Sequence, residues 1–189
     1  GRSKLAGEKA ALRFADQVSI TTVRPPVVFG PGDRTGLTLF RAIERTGLHI
    51  VPRRELPLSL VYVDDLSQVL SRLVKRQPAA SGEWYYVADP AVTTFAGMGE
   101  FAAAALNRRV RTLPIRAGWF YLAATVCELV GRIRQEVPLI NFDKLRELQV
   151  TGWVCDAAKI QLELGSLPAK PLEARFAETA QWYRSHGWL

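Results

Sequence analysis

The chain of 189 residues carries a formal charge of +7, with 48% hydrophobic residues, which excludes a disordered polyelectrolyte and leaves ample apolar material for a buried core. Its basic residues are scattered in short pairs such as Arg53-Arg54, Lys75-Arg76 and Arg108-Arg109. No recognition helix, zinc-finger spacing or ribonucleoprotein motif accompanies them, which argues against a nucleic-acid partner. Cys127 and Cys155 make neither a CxxC pair nor a disulfide framework and fit a reduced, cytoplasmic setting. His49 and His186, the two histidines, are too few and too far apart to build a metal site or a His-based triad.

The opening stretch, GRSKLAGEKAALRFAD, has the composition and apolar spacing of a helix. It lacks a start signal: Ser3 could cap, but Ala6 stands where a capping box needs Glu or Gln. The expectation is a helix entered part-way along. Next, QVSITTVRPPVVFGPGD predicts a buried strand over Ser19 to Val23 that stops at Pro25-Pro26, followed by a glycine- and proline-rich loop. Residues 37–47 form a helix ended by Gly47, residues 48–52 and 58–63 form short strands, and Asp64 caps a helix that ends before Pro78.

Further along, residues 82–90 predict a strand. A helix over Thr94 to Leu106 follows, capped by Thr93 or Thr94, and residues 108–115 return to a strand. The rest is helical: Trp119 to Arg132, Phe142 to Leu148, Asp156 to Leu164 closed by Gly165, and Leu172 to His186. The most apolar run, Ala117 to Gly131, is shorter than the roughly 20 residues a membrane-spanning helix needs, and it contains Glu128. A helix packed inside the protein or over an apolar pocket is the preferred reading, with peripheral contact at a membrane surface as the alternative. Strands alternating with helices predict an α/β fold with a largely parallel sheet and a smaller, mainly helical C-terminal unit.

Single motifs carry little chemistry. GPGDRTG lacks the order of a phosphate-binding P-loop, and neither GxSxG nor HExxH occurs. Three segments in register say more. SKLAGEKA, TTVRPPVVFGPGD and SLVYVDDLSQVL together resemble the second half of an extended short-chain dehydrogenase/reductase, the NAD-dependent epimerase/dehydratase family. The likeness runs along essentially the whole chain. The later part, from DKLRELQVTGWVCD onward, is similar to the branch of that family with 3β-hydroxysteroid dehydrogenase-like members.

The resemblance implies a partial Rossmann-like fold, a doubly wound parallel sheet without its N-terminal half. Residues 1–33 and 61–90 would be the remnant of the NAD(P)-binding domain, and residues 34–60 and 91–189 the substrate domain. It implies further that Lys4 is the lysine of a Tyr-x-x-x-Lys pair whose tyrosine directly precedes Gly1. Residues four apart share a helix face, so phenol and ammonium can reach one substrate, the cation lowering the phenol's pKa and holding the nicotinamide ribose. The glycine-rich fingerprint, the residue selecting NAD or NADP and the catalytic Ser or Thr would lie upstream, in on the order of 100 to 150 residues. The polypeptide alone is then expected to be inactive.

By the same resemblance Pro25, Pro26 and Val27 flank the cofactor, while Val28, Arg34 and Tyr62 belong to the substrate pocket. No metal is implied. Two valines at 27 and 28, where sugar-nucleotide enzymes often carry Asn, favour a hydroxyl or ketone on an apolar, sterol- or isoprenoid-like substrate. The alternatives are a sugar-nucleotide epimerase or dehydratase, and a non-catalytic cofactor-binding sensor or assembly protein of the same fold. A homodimer is the expected assembly. Asp64 and Asp65 are expected to open a helix, as cap and first-turn acid favoured by the helix dipole, and Trp182, Tyr183 and Trp188 to pack the terminal domain.

Overall fold

A computed structural model describes residues 1–76, 82–116, 118, 152–165 and 170–189. The chain begins with α1 (Arg2–Leu12), β1 (Thr22–Arg24), β2 (Val27–Phe29), α2 (Arg34–Thr46), β3 (Leu48–Pro52) and β4 (Pro57–Tyr62). It continues through α3 (Val63–Lys75), β5 (Trp84–Tyr86), β6 (Val92–Thr94), α4 (Phe95–Leu106) and β7 (Arg111–Ile115), and closes with α5 (Ala158–Leu164) and α6 (Leu172–Ser185). The helices expected at Trp119 to Arg132 and Phe142 to Leu148, the apolar run around them and Cys127 lie outside the described residues. No helix among the described residues is long and apolar enough to cross a membrane.

The α/β class and the mainly parallel pairing are as expected, but among the described residues the strands form three small sheets and not one. β1 pairs with β5, β2 with β4 and β3 with β7, all in parallel, and β6 joins the other edge of β4 antiparallel. The division begins at Pro25-Pro26. Neither proline has an N–H to give to a ladder, so the chain leaves the β1–β5 sheet after Arg24 and re-enters another at Val27, opposite Leu60 of β4. The expected strand over Ser19 to Val23 therefore gives way to two three-residue strands, and the prolines mark a change of sheet, not the end of pairing.

β4 is the hinge of the architecture. Every residue from Leu58 to Tyr62 is buried, the pattern of a strand covered on both faces. Leu60 and Tyr62 belong to one core, with Phe29, Leu37, Phe40, Ile43, Leu106 and the inner face of α6. Val61, pointing the other way as strand alternation requires, belongs to a second core with Val69, Tyr85, Val87 and Ile160. In α6 the buried set Leu172, Arg175, Phe176, Thr179, Ala180 and Tyr183 follows one helical stripe. The Phe176 ring lies 4.8 Å from that of Phe29, 5.5 Å from Phe101 and 6.0 Å from Phe40.

Local chemistry sets most helix ends. Asp33 caps α2, its carboxylate accepting from the N–H groups of Thr35 (2.8 Å) and Gly36 (3.0 Å). α2 therefore starts three residues before the expected Leu37. Gly47 ends it in the left-handed region, at φ 65°. Thr94 caps α4 by accepting from Gly97 N–H at 3.1 Å, one of the two caps expected there. At α3 the expectation fails: Tyr62 occupies the cap position without a side-chain bond, and Asp64 and Asp65 both lie inside the first turn. β4 runs straight into α3, so no loop residue is left to cap it. Residues 92–94, expected to lead directly into the helix, form β6 instead.

The terminal aromatics pack as expected. Tyr183 is fully buried and its hydroxyl donates to the Asp33 carbonyl at 2.6 Å. The Trp188 carbonyl accepts two N–H bonds from Arg41, at 2.9 and 3.0 Å.

Candidate functional site

The first part of the site is built where α1 meets the end of β1. None of the residues of α1 is buried, and Lys4 is exposed. One turn on and on the same face, Glu8 accepts from Arg24, from Nε at 3.1 Å and from Nη2. Arg24 is the last residue of β1 and directly precedes Pro25, so this contact ties α1, at Glu8, to the carboxyl end of β1. Pro25 is exposed, Pro26 half-buried, and Val27 exposes 43% of its surface. Lys4 and Val27 thus both present accessible side chains, one an ammonium and the other apolar. Among the described residues Lys4 enters no ion pair.

A turn leads away from this segment. Gly30 sits at φ 134°, and a Cβ there would come within 2.8 Å of Val63 Cγ1 and 3.0 Å of the Tyr62 ring. Only glycine lets the chain pass so close to the end of β4. Beyond the turn, Arg34 opens α2, exposed, with its guanidinium 5.8 Å from the Trp188 ring. The glycines at 97 and 99, by contrast, serve packing inside α4: a Cβ on Gly99 would strike the His49 ring at 2.2 Å.

The second part is a cavity of about 290 Å³ beyond the end of β4, between α3, α5 and the segment after β5. Its apolar wall includes Val61, Val69, Val87, Ile160 and Leu164, and its polar groups come from Tyr62, Asp65, Asp89 and Gln161. Tyr62 is the one expected site residue that lines it. Val28 lies opposite Val61 in the β2–β4 ladder and packs into the second core. Lys4, Pro25, Pro26, Val27, Val28 and Arg34 do not line the cavity.

Behind Tyr62 lies a buried ion cluster invisible to motif reading. Arg175 of α6 is 6% exposed and donates from Nη2 to Asp65 Oδ1 and from Nη1 to Glu178 Oε2 at 3.0 Å, with its guanidinium carbon 4.2 Å from the Tyr62 ring centre. Its Nε has no partner among the described residues. Glu178 also pairs with Lys170, and the hydrogen bond from Lys170 holds its carboxyl below the usual range. Burial pushes the Asp65 carboxyl up, against the pull of Arg175, and does the same to Asp89, whose Oδ1 accepts from Ala91 N–H at 2.8 Å. Asp65 thus serves as more than the first-turn acid expected of it.

Buried phenols tie stability to alkaline pH. Burial pushes Tyr62 up to about 12, and burial followed by the hydrogen bond to Glu163 pushes Tyr85 up to about 12. Tyr183 is raised further still by burial. The native state gives up these protons at higher pH than the unfolded chain does. The stability they contribute is therefore complete below the ordinary phenol range near pH 10 and is lost as pH rises through about 12. Denaturant midpoints should fall over that window while phenolate absorbance lags behind that of the unfolded chain. Tyrosines that all titrate at the ordinary value with no loss of stability would contradict the burial assigned to them.

No family model matches the chain. A curated relative, the ceramide reductase of Caulobacter vibrioides, is 27% identical over 188 residues, which are 99% of this chain and 57% of the relative. Among solved structures, a nucleoside-diphosphate-sugar epimerase from Pseudomonas aeruginosa superposes with a TM-score of 0.71 at 18% identity, over 98% of this chain and 55% of that one. A dTDP-glucose 4,6-dehydratase from Streptomyces venezuelae, solved with NAD bound, gives 0.68 at 17% identity, over 99% and 51%. The chain thus spans little more than half the length of the proteins it matches. Its fold is the α/β, Rossmann-like fold of these epimerase and dehydratase structures.

Proposed function

We propose that this chain is the substrate-side, C-terminal part of an NAD(P)-dependent oxidoreductase that acts on a hydroxyl or ketone of an apolar, lipid-like substrate. The observation that supports this reading is the accessible Lys4 on a helix that Glu8 ties to Arg24, the residue before Pro25-Pro26, in a fold shared with a dehydratase solved with NAD. When bound, NAD(P) supplies hydride exchange with the substrate carbon. This chain supplies an ammonium at Lys4 to hold the ribose and to lower the pKa of a neighbouring phenol, the acid–base group. Pro25, Pro26 and Val27 form the apolar side of the ring site, and Val28, Arg34 and Tyr62 belong to the substrate side. Residues 1–33 and 61–90 act as the cofactor-side unit, residues 34–60 and 91–189 as the substrate-side unit. The boundary at 60/61 runs through β4, where the two cores meet.

The apolar substrate class is supported by the two valines at 27 and 28 and by the name of the Caulobacter relative, a ceramide reductase. A sugar-nucleotide epimerase or dehydratase is the second reading, supported by the two structural relatives. The two readings part in one assay. The chain alone and the longer polypeptide that carries it would each be given NADH or NADPH with a long-chain keto lipid, and separately a UDP- or dTDP-sugar with NAD. The proposed function requires turnover of the keto lipid by the longer polypeptide and none by the chain alone. Turnover of the nucleotide sugar and not of the lipid would establish the second reading.

A further inference from the structure

α1 poses a physical problem for any role of Lys4. An 11-residue helix is marginal in isolation, and α1 has no buried side chain to pack it down. Glu8 supplies the tie. Its carboxylate receives both Nε and Nη2 of Arg24, a forked contact that fixes orientation as well as distance and that a lysine could not reproduce. Arg24 is itself braced: its guanidinium carbon lies 4.8 Å from the Trp84 ring centre on the paired strand β5, with Tyr86 directly opposite it in the ladder. Lys159 of α5 bonds Glu83 and approaches the same Trp84 ring at 5.6 Å. Four elements, α1, β1, β5 and α5, are thereby joined through one indole.

We infer that the Glu8–Arg24 pair, seated on Trp84, is a positioning device that holds the Lys4 turn at the Pro25-Pro26 end of β1. The inference rests on the oxidoreductase reading and adds to it a pair of residues that touch neither cofactor nor substrate. Consistently, the Arg24 hydrogen bonds hold the Glu8 carboxyl below its usual range, so the pair stays charged throughout the neutral range.

The test combines hydrogen exchange on this chain with steady-state kinetics on the longer polypeptide that the proposed function requires. Glu8→Gln should speed exchange of the α1 amides by about tenfold while those of α2, α4 and α6 keep their protection. It should also raise the KM for NAD(P) by about tenfold, with a smaller change in kcat for saturated enzyme. Exchanging the charges, Glu8→Arg with Arg24→Glu, should recover part of both effects, since it restores the ion pair but not the contact of residue 24 with Trp84. Wild-type exchange in Glu8→Gln, or faster exchange with an unchanged cofactor KM, overturns the inference and leaves the oxidoreductase reading standing. Absence of NAD(P)-dependent turnover in the unsubstituted polypeptide overturns the reading itself, and the positioning role with it.

Discussion

Replacing Lys4 with methionine should lower kcat/KM of the longer polypeptide by about 10²- to 10⁴-fold, the usual worth of a group that serves acid–base catalysis. The size follows from two losses. On the proposed function, the cofactor ribose would lose its cationic donor and the phenol the positive charge that draws its pKa toward neutrality. Stability should hardly change: Lys4 is exposed, and substitutions on an exposed helix face usually stay within about 0.5 kcal/mol. Kinetics and denaturant unfolding of the same preparation separate the two effects. An unfolded variant would instead locate the loss in α1 itself, and undiminished activity would reduce Lys4 to a solvated lysine. Lys4→Arg refines the test, since it keeps the charge but changes the donor geometry.

Removing one partner of the buried ion pair should be the most damaging substitution for stability. Asp65→Ala leaves the Arg175 guanidinium beneath Tyr62 with Glu178 as its remaining carboxylate. Fully stranding a buried charge costs about 3–5 kcal/mol, the upper limit here because Glu178 still pairs with Arg175, and a large part of the roughly 5–15 kcal/mol that holds a domain together. The double variant Asp65→Leu with Arg175→Met should recover much of the loss, because removing both charges also removes their desolvation cost. Denaturant midpoints of Asp65→Leu, Arg175→Met and the double variant give the coupling energy directly. Additive single losses would show that the two groups do not depend on each other, whatever their contact. The cluster also joins α3 to α6, so the single variants should loosen the first core around Phe176 before they disturb the second.

The capping residues at Thr94 and Gly47 were legible because a cap is a bargain between a residue and its near neighbours. The helix over Leu172 to His186 is legible because its periodicity is local, as is the packing role of Trp182, Tyr183 and Trp188, whose aromatic surfaces bury large areas whatever they meet. The proline pair marks a strand end from sequence alone, and β1 does end at Arg24. Its further effect, sending the chain into a second sheet at Val27, depended on an open edge of β4 more than 30 positions away in sequence. The cap assigned to Asp64 failed for a similar reason: β4 continues to Tyr62 because both its faces are covered, and the helix has to start against it. For the candidate site, the sequence points to Lys4, Pro25, Pro26, Val27, Val28, Arg34 and Tyr62, of which Tyr62 lines the cavity. It was silent on Glu8, Arg24 and Arg175, whose roles lie in the partners they meet.

By itself, then, the sequence determined the periodicities, the helix ends governed by local hydrogen bonds, the α/β class and the turn that bears Lys4, all set by interactions that span a few residues. Tertiary structure alone decided the division into three sheets, the two cores on either side of β4, the pairing of Asp65 with Arg175 across 110 positions and of Glu8 with Arg24 across 16. Such contacts form only after loop-closure entropy has been overcome and a low-dielectric interior exists to strengthen them. No local pattern in the chain encodes which charge will meet which.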